Sequence, residues 1–64
     1  MYNFKKQEEK ILAFLSGREK TPTTLIARFL GIDYYIVKHV LYELEKKEVV
    51  KKIAKGRWTY WVKK

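Results

Sequence analysis

Residues 21–47 read TPTTLIARFLGIDYYIVKHVLYELEKK, and the fold is decided in this stretch. On both sides of Gly31 the apolar residues recur at three- and four-residue spacings, which predicts two helices joined by one tight turn. Pro22 suits the first position of the earlier helix, where a missing N–H has no intrahelical partner to lose, and Thr21 is placed to cap it. Ile26, Ala27 and Leu30 make that helix's buried face. Beyond Gly31, Ile32 enters the core and Asp33 is positioned to accept from the orphan N–H groups of a helix expected over 33–47. Val37, Val40, Leu41 and Leu44 form its buried stripe.

Helices linked this briefly must cross steeply, as in a helix-turn-helix. Projected at about 100° per residue, the exposed arc of the 33–47 helix carries Tyr35, His39, Tyr42 and Lys46, with Lys38 at its edge. These side chains combine hydrogen-bond donors, flat rings and positive charge. That set can meet both phosphates and base edges in a major groove.

Upstream, Asn3 is a plausible cap for a helix within residues 1–16, where Phe4, Ile11, Leu12 and Leu15 share a face and Phe14 lies beside it. Gly17 ends it. Phe4, Phe14, Leu25 and Phe29 exceed what so small a core obviously needs; the expectation is that they complete that core, the alternative being that some of them face a partner.

Downstream of Lys47 the period changes to two, which predicts a β-hairpin over 49–63. With Lys55-Gly56 as its turn, Ile53 opposes Trp58, Lys51 opposes Tyr60 and Val49 opposes Val62. This mostly apolar face is expected to pack on the helices, leaving Lys52, Arg57, Thr59 and Trp61 on the other side and Lys55 at the tip. A slip of one residue would exchange the roles of Trp58 and Trp61.

The 64 residues are expected to form one domain, 1–64, of α+β class: a three-helix core followed by a two-stranded antiparallel hairpin. Without cysteine there is no disulfide or thiolate zinc site, and a single histidine cannot build a metal cage; no metal or cofactor is expected. The longest apolar run, Ile11 to Leu15, is too short to span a bilayer, and the N-terminus lacks a signal-peptide layout. A cytoplasmic, nucleoid-associated protein is expected.

The formal charge is +8, and its distribution matters more than its size. Residues 1–31 hold six Lys/Arg against three Glu (+3), residues 32–48 three against four acids (−1), and residues 49–64 six against none (+6). A basic segment alternating with aromatics in a strand pattern points to nucleic acid rather than to a membrane surface. Enzymatic chemistry has no foothold. His39 has no carboxylate to orient it, and the Glu8/Glu9 and Glu43/Glu45 pairs read as solvated or lysine-paired helix charges. Abundant Glu and Lys with few Met, Asn and Gln fit a thermophilic source.

Three helices, a turn glycine at Gly31, the cadence Val37, Leu41, Leu44 and a terminal hairpin resemble the winged helix-turn-helix family across nearly the whole chain. The resemblance implies that the third helix enters the major groove with Tyr34, Tyr35, Lys38, His39 and Tyr42, joined by Lys46 from the same exposed arc. It implies a wing that touches flanking phosphates or the minor groove through Lys55 and Arg57, with Lys52 and Trp61 beside them. Thr23 and Arg28 of the second helix are expected at the DNA backbone. Many members have glycine where this chain has Glu48, so the exit from the third helix is expected either to take a different conformation or to tolerate a modest strain, with the wing angle set accordingly.

The segment VLYEL with a late tryptophan is also similar to the Z-DNA-binding Zα domains, which would place Tyr42 and Trp61 at a left-handed duplex. Lys38 stands where those domains carry a contacting asparagine, and their paired wing prolines are absent.

The expected function is double-stranded DNA binding by a small sequence-selective transcriptional regulator, with a homodimer raising its specificity. A low-specificity architectural protein and a protein-interaction module are the alternatives.

Overall fold

The computed structural model describes residues 4–64. The expected cap Asn3 lies outside them. In chain order the elements are α1 (Lys5–Leu15), β1 (Thr21–Pro22), α2 (Thr23–Leu30), α3 (Tyr34–Lys46), β2 (Val50–Lys55) and β3 (Trp58–Lys63). None of these helices is long and apolar enough to cross a membrane.

Each helix of the 21–47 stretch ends for a local reason. Gly31 closes α2 in the left-handed region at φ +66°, and the Ile32 N–H bonds the Ala27 carbonyl at 3.1 Å. Asp33 then opens α3, its side chain accepting from the Tyr35 N–H at 2.9 Å. At the far end Glu48 takes φ +61°, the only non-glycine among the described residues with positive φ. The Glu48 N–H bonds Glu45 O at 2.9 Å and the Val49 N–H bonds Leu44 O at 3.0 Å. These two bonds form a Schellman closure around a residue that lacks glycine's freedom.

The start of α2 differs from expectation. Pro22 is the cap residue, with extended backbone, and Thr21–Pro22 form a short strand pairing antiparallel with β3, Thr21 opposite Trp61 and Pro22 opposite Tyr60. Proline tolerates this place because an edge strand leaves one row of N–H positions unused. The buried Thr21 hydroxyl, expected as a cap, instead donates to the Glu19 carbonyl at 2.9 Å. The wing is therefore part of a three-stranded sheet of order β1-β3-β2.

The hairpin register also differs. Its turn is Gly56-Arg57, with Lys55 opposite Trp58, Ile53 opposite Tyr60, Lys52 opposite Trp61 and Lys51 opposite Val62. Gly56 has φ +62°, and a type II′ turn reserves its first central position for glycine. The residues expected to share a face do share one, but it is the opposite face that meets the helices. Trp61 is 1% exposed and Val50 is fully buried, whereas Trp58 is 55% exposed.

The inverted face buries Trp61 and Val50 and gives the indole a partner. The Trp61 indole Nε1 donates to Thr23 Oγ1 at 2.7 Å, and that hydroxyl reaches the Thr59 carbonyl at 3.4 Å. The largest buried side chain thus finds a partner for its N–H on the inner face, as burial of an indole requires. Around it the core gathers Ile11, Phe14 and Leu15 of α1, Ile26 and Ala27 of α2, and Val37, Val40, Leu41 and Leu44 of α3. Phe14 joins this core and Phe4 packs against it, but Leu25 and Phe29 remain 44% and 67% exposed.

Candidate nucleic-acid interface

Tyr34, Lys38 and Tyr42 follow one another at four-residue intervals and form a row along α3. The wing lies against this row. Tyr42 meets Trp61 edge-on, with ring centroids 5.6 Å apart and planes at 90°. Lys52 of β2 brings its Nζ to 5.2 Å from the Tyr42 ring centroid, on the sheet face that it shares with its cross-strand partner Trp61. Because Trp61 is immobilised by the core and by Thr23, it fixes the edge against which Tyr42 stands. The phenol ring is thereby oriented before any ligand arrives.

At the N-terminal end of the row an open cleft of about 150 Å³ separates the helices from the wing, lined by Thr23, Thr24, Tyr34, Arg57, Trp58 and Thr59. It combines hydroxyls, one guanidinium and two rings. Arg28, exposed on α2, follows Thr24 by one turn and extends the same polar edge.

The expected site residues fall into three groups. Tyr34, Lys38, Tyr42, Lys52 and Arg57 are brought to the junction of α3 and wing, with Arg28 on its margin. Tyr35, 75% exposed and edge-on to Tyr34 at 5.4 Å, stands free beside them. His39 and Lys46 occupy the opposite flank of the exposed arc: His39 packs its ring 5.1 Å from Phe4, and Lys46 pairs with Glu43 at 3.5 Å. Lys55, opposite Trp58, is on the outer face of the sheet near its tip.

Thr23 and Trp61 are buried, contrary to the expectation of a backbone contact and an exposed wing ring. Both are already engaged: the indole N–H donates to the hydroxyl, and the hydroxyl donates in turn to the Thr59 carbonyl. Their place is behind the junction of helices and wing, where their bond ties α2 to β3. Thr24 and Trp58 join the cleft in addition to the residues expected from the sequence. The only cue in the chain is their position beside Thr23 and Arg57, and it acquires meaning once β1 has drawn α2 alongside β3.

A second feature lies across the molecule. The Phe29 ring lies 4.8 Å from that of Phe14, tilted by 39°, and the Arg18 guanidinium sits 4.1 Å over the Phe14 ring and 5.7 Å from that of Phe29. With Leu25 this makes an apolar patch on α1 and α2, away from the wing.

A family model described as FaeA-like protein matches residues 7–64. No curated protein matches the chain. Among solved structures, the Zalpha domain of Carassius auratus PKZ, in complex with Z-DNA, is 27% identical, with a TM-score of 0.82 over 92% of this chain and 94% of that one. The Zalpha domain of Cyprinid Herpesvirus3 ORF112, solved for its binding mode to Z-DNA, is 25% identical, with a TM-score of 0.80 over 92% of this chain and 93% of that one. Lactococcus lactis ZitR, a zinc-responsive MarR family member, is 23% identical, with a TM-score of 0.81 over all of this chain and 47% of its own. At that identity the ZitR likeness bears on fold alone. The winged-helix architecture expected from the residues is thus the architecture observed, and the similarity to Zα domains extends over nearly the whole chain.

Proposed function

The chain belongs to the FaeA-like protein family, and from that premise, together with the face built by α3 and the wing, we propose that it binds double-stranded DNA. The observation that carries this reading is that one row of α3 meets the wing twice, Tyr34 beside Arg57 in the cleft and Tyr42 beside Lys52, with Lys38 midway between them on the helix. A row of side chains at helical spacing fits a major groove, and cations flanking it on a separate element fit the phosphates on either side. The overall charge of +8 supplies the long-range attraction.

In the finer form of the proposal the protein is a small sequence-selective regulator. Tyr35 and Lys38 read base edges, Lys52, Arg57 and Arg28 hold phosphates, and two copies occupy half-sites about one helical turn apart, roughly 34–36 Å. Pairing raises selectivity because a single recognition helix reads few base pairs.

A second reading concerns the form of the duplex. The perpendicular Tyr42–Trp61 contact and the likeness to two Zalpha domains solved with Z-DNA favour a left-handed duplex as the ligand. Selection of duplexes from a random pool tests both readings when it is paired with circular dichroism of an alternating dC–dG duplex. Sequence-selective binding predicts an enriched site held roughly a thousandfold or more above scrambled duplex, with an unchanged spectrum. Form-selective binding predicts enrichment of alternating purine–pyrimidine repeats alone and an inverted spectrum on adding protein. Absence of binding to either duplex at low salt would refute the proposal.

A further inference from the structure

The outer face of the sheet is a second surface with its own chemistry. In the observed register Lys51, Ile53 and Lys55 of β2 share it with Trp58, Tyr60 and Val62 of β3, on the side away from Trp61 and the helices. Trp58 is 55% exposed, while Trp61 of the same strand is 1% exposed. Tyr60 is half-buried, and Lys20, from the segment before β1, brings its Nζ to 5.2 Å from the Tyr60 ring centroid. Lys51 and Lys55 are exposed, and residues 49–64 contain no acidic side chain.

We propose that this face binds a single-stranded polynucleotide, with Trp58 and Tyr60 as stacking rings for two successive bases and Lys20, Lys51 and Lys55 as phosphate contacts. The site goes beyond duplex binding by α3 and lies on the other side of the sheet, with Trp58 where the two surfaces meet.

Geometry selects the single strand. Alternate residues of a strand are about 6.6 Å apart. That is about twice the 3.4 Å rise between stacked bases, so the rings can engage neighbouring bases only when these are splayed apart. In a duplex each base's π-face is covered by its neighbours; in a single strand it is free to stack on an aromatic side chain. The lysines alone would attract any polyanion. Two rings on the same face add a preference for polyanions that carry bases.

The test uses the full chain, a 12-nucleotide oligothymidylate, a 12-base-pair duplex and inorganic polyphosphate, with tryptophan emission and fluorescence anisotropy as readouts. Oligothymidylate is expected to quench the emission, and the quenching to vanish in Trp58→Thr, which retains the buried Trp61 as an internal control. Tyr60→Thr is expected to weaken oligothymidylate binding about tenfold, and Lys51→Ala to lower its salt slope by about 0.7. Both are expected to leave duplex affinity unchanged.

Retained duplex binding with no response to oligothymidylate overturns this inference and leaves the α3 reading standing. So does oligothymidylate binding that polyphosphate matches in affinity and that the ring substitutions do not alter. Should Tyr60→Thr lose its far-ultraviolet spectrum, the exposed Trp58→Thr and Lys51→Ala variants decide the matter. Binding of neither nucleic acid overturns both readings.

Discussion

Trp58 and Trp61 stand three residues apart in one strand and have opposite surroundings. Trp61→Ala removes the largest buried side chain and leaves Thr23 Oγ1 without its donor, so it is expected to cost about 3–5 kcal/mol. That rivals the whole stability of a chain this short, roughly 3–10 kcal/mol. Trp58→Ala is expected to change stability by no more than about 0.5 kcal/mol. Urea denaturation compares the two directly; equal costs would contradict the observed sheet facing. Alternation in the chain shows which residues share a face, but it does not show which face is inside. The apolar majority on the Ile53, Trp58, Tyr60 face points the wrong way, because the acceptor that lets an indole be buried, Thr23 Oγ1, lies on the other side and is invisible in the strand's own pattern. At Glu48, where winged helices often use glycine, the chain leaves a different exit and a strained one both open, and the structure takes the strained one at φ +61°. Glu48→Gly is expected to raise stability by up to about 1 kcal/mol, the left-handed penalty of a side chain less glycine's added chain entropy. A fall in the urea midpoint would contradict that account.

Among the elements, α3 was the most legible, because its start, stripe and exposed arc are all local properties: Asp33 caps it and Val37, Val40, Leu41 and Leu44 bury it. β1 was not legible. Two residues carry no periodicity of their own, and the partner that makes them a strand lies some forty positions later, at Tyr60 and Trp61. The interface inherits this difference. Its helical row could be read from spacing, whereas the cleft between Thr24, Tyr34 and Arg57 exists only after β1 has pinned α2 beside β3. For α3 itself, Lys38→Ala is expected to weaken a selected duplex site by about 1–3 kcal/mol, with a smaller loss on random duplex. Arg57→Ala is expected to weaken both alike. His39→Ala, packed against Phe4 on the far flank, is expected to have the smallest effect of the three. Anisotropy titrations on selected and scrambled duplexes give the ranking, and a dominant His39 would move the interface toward α1.

At the scale of the molecule, charge and shape act together. The basic wing and the aromatic helix row are presented by a scaffold whose joint, Trp61 against Thr23 and Tyr42, is built before any ligand binds. Little ordering is then needed on association, and affinity depends chiefly on phosphate neutralisation. About four to six phosphate contacts per chain predict a log–log salt slope of roughly −3.6 to −5.4 on duplex DNA. Titrations at several salt concentrations measure it, and a slope near zero would exclude an electrostatic interface.

The most direct measurement of where that interface lies is amide chemical-shift mapping on the labelled chain as a short duplex is added. The account predicts that the largest shifts fall on Tyr34, Tyr35, Lys38, Tyr42, Lys52 and Arg57, with Leu25 and Phe29 unmoved. Shifts confined to the apolar patch of Phe14, Leu25 and Phe29, or none at all under low-salt conditions, would contradict it.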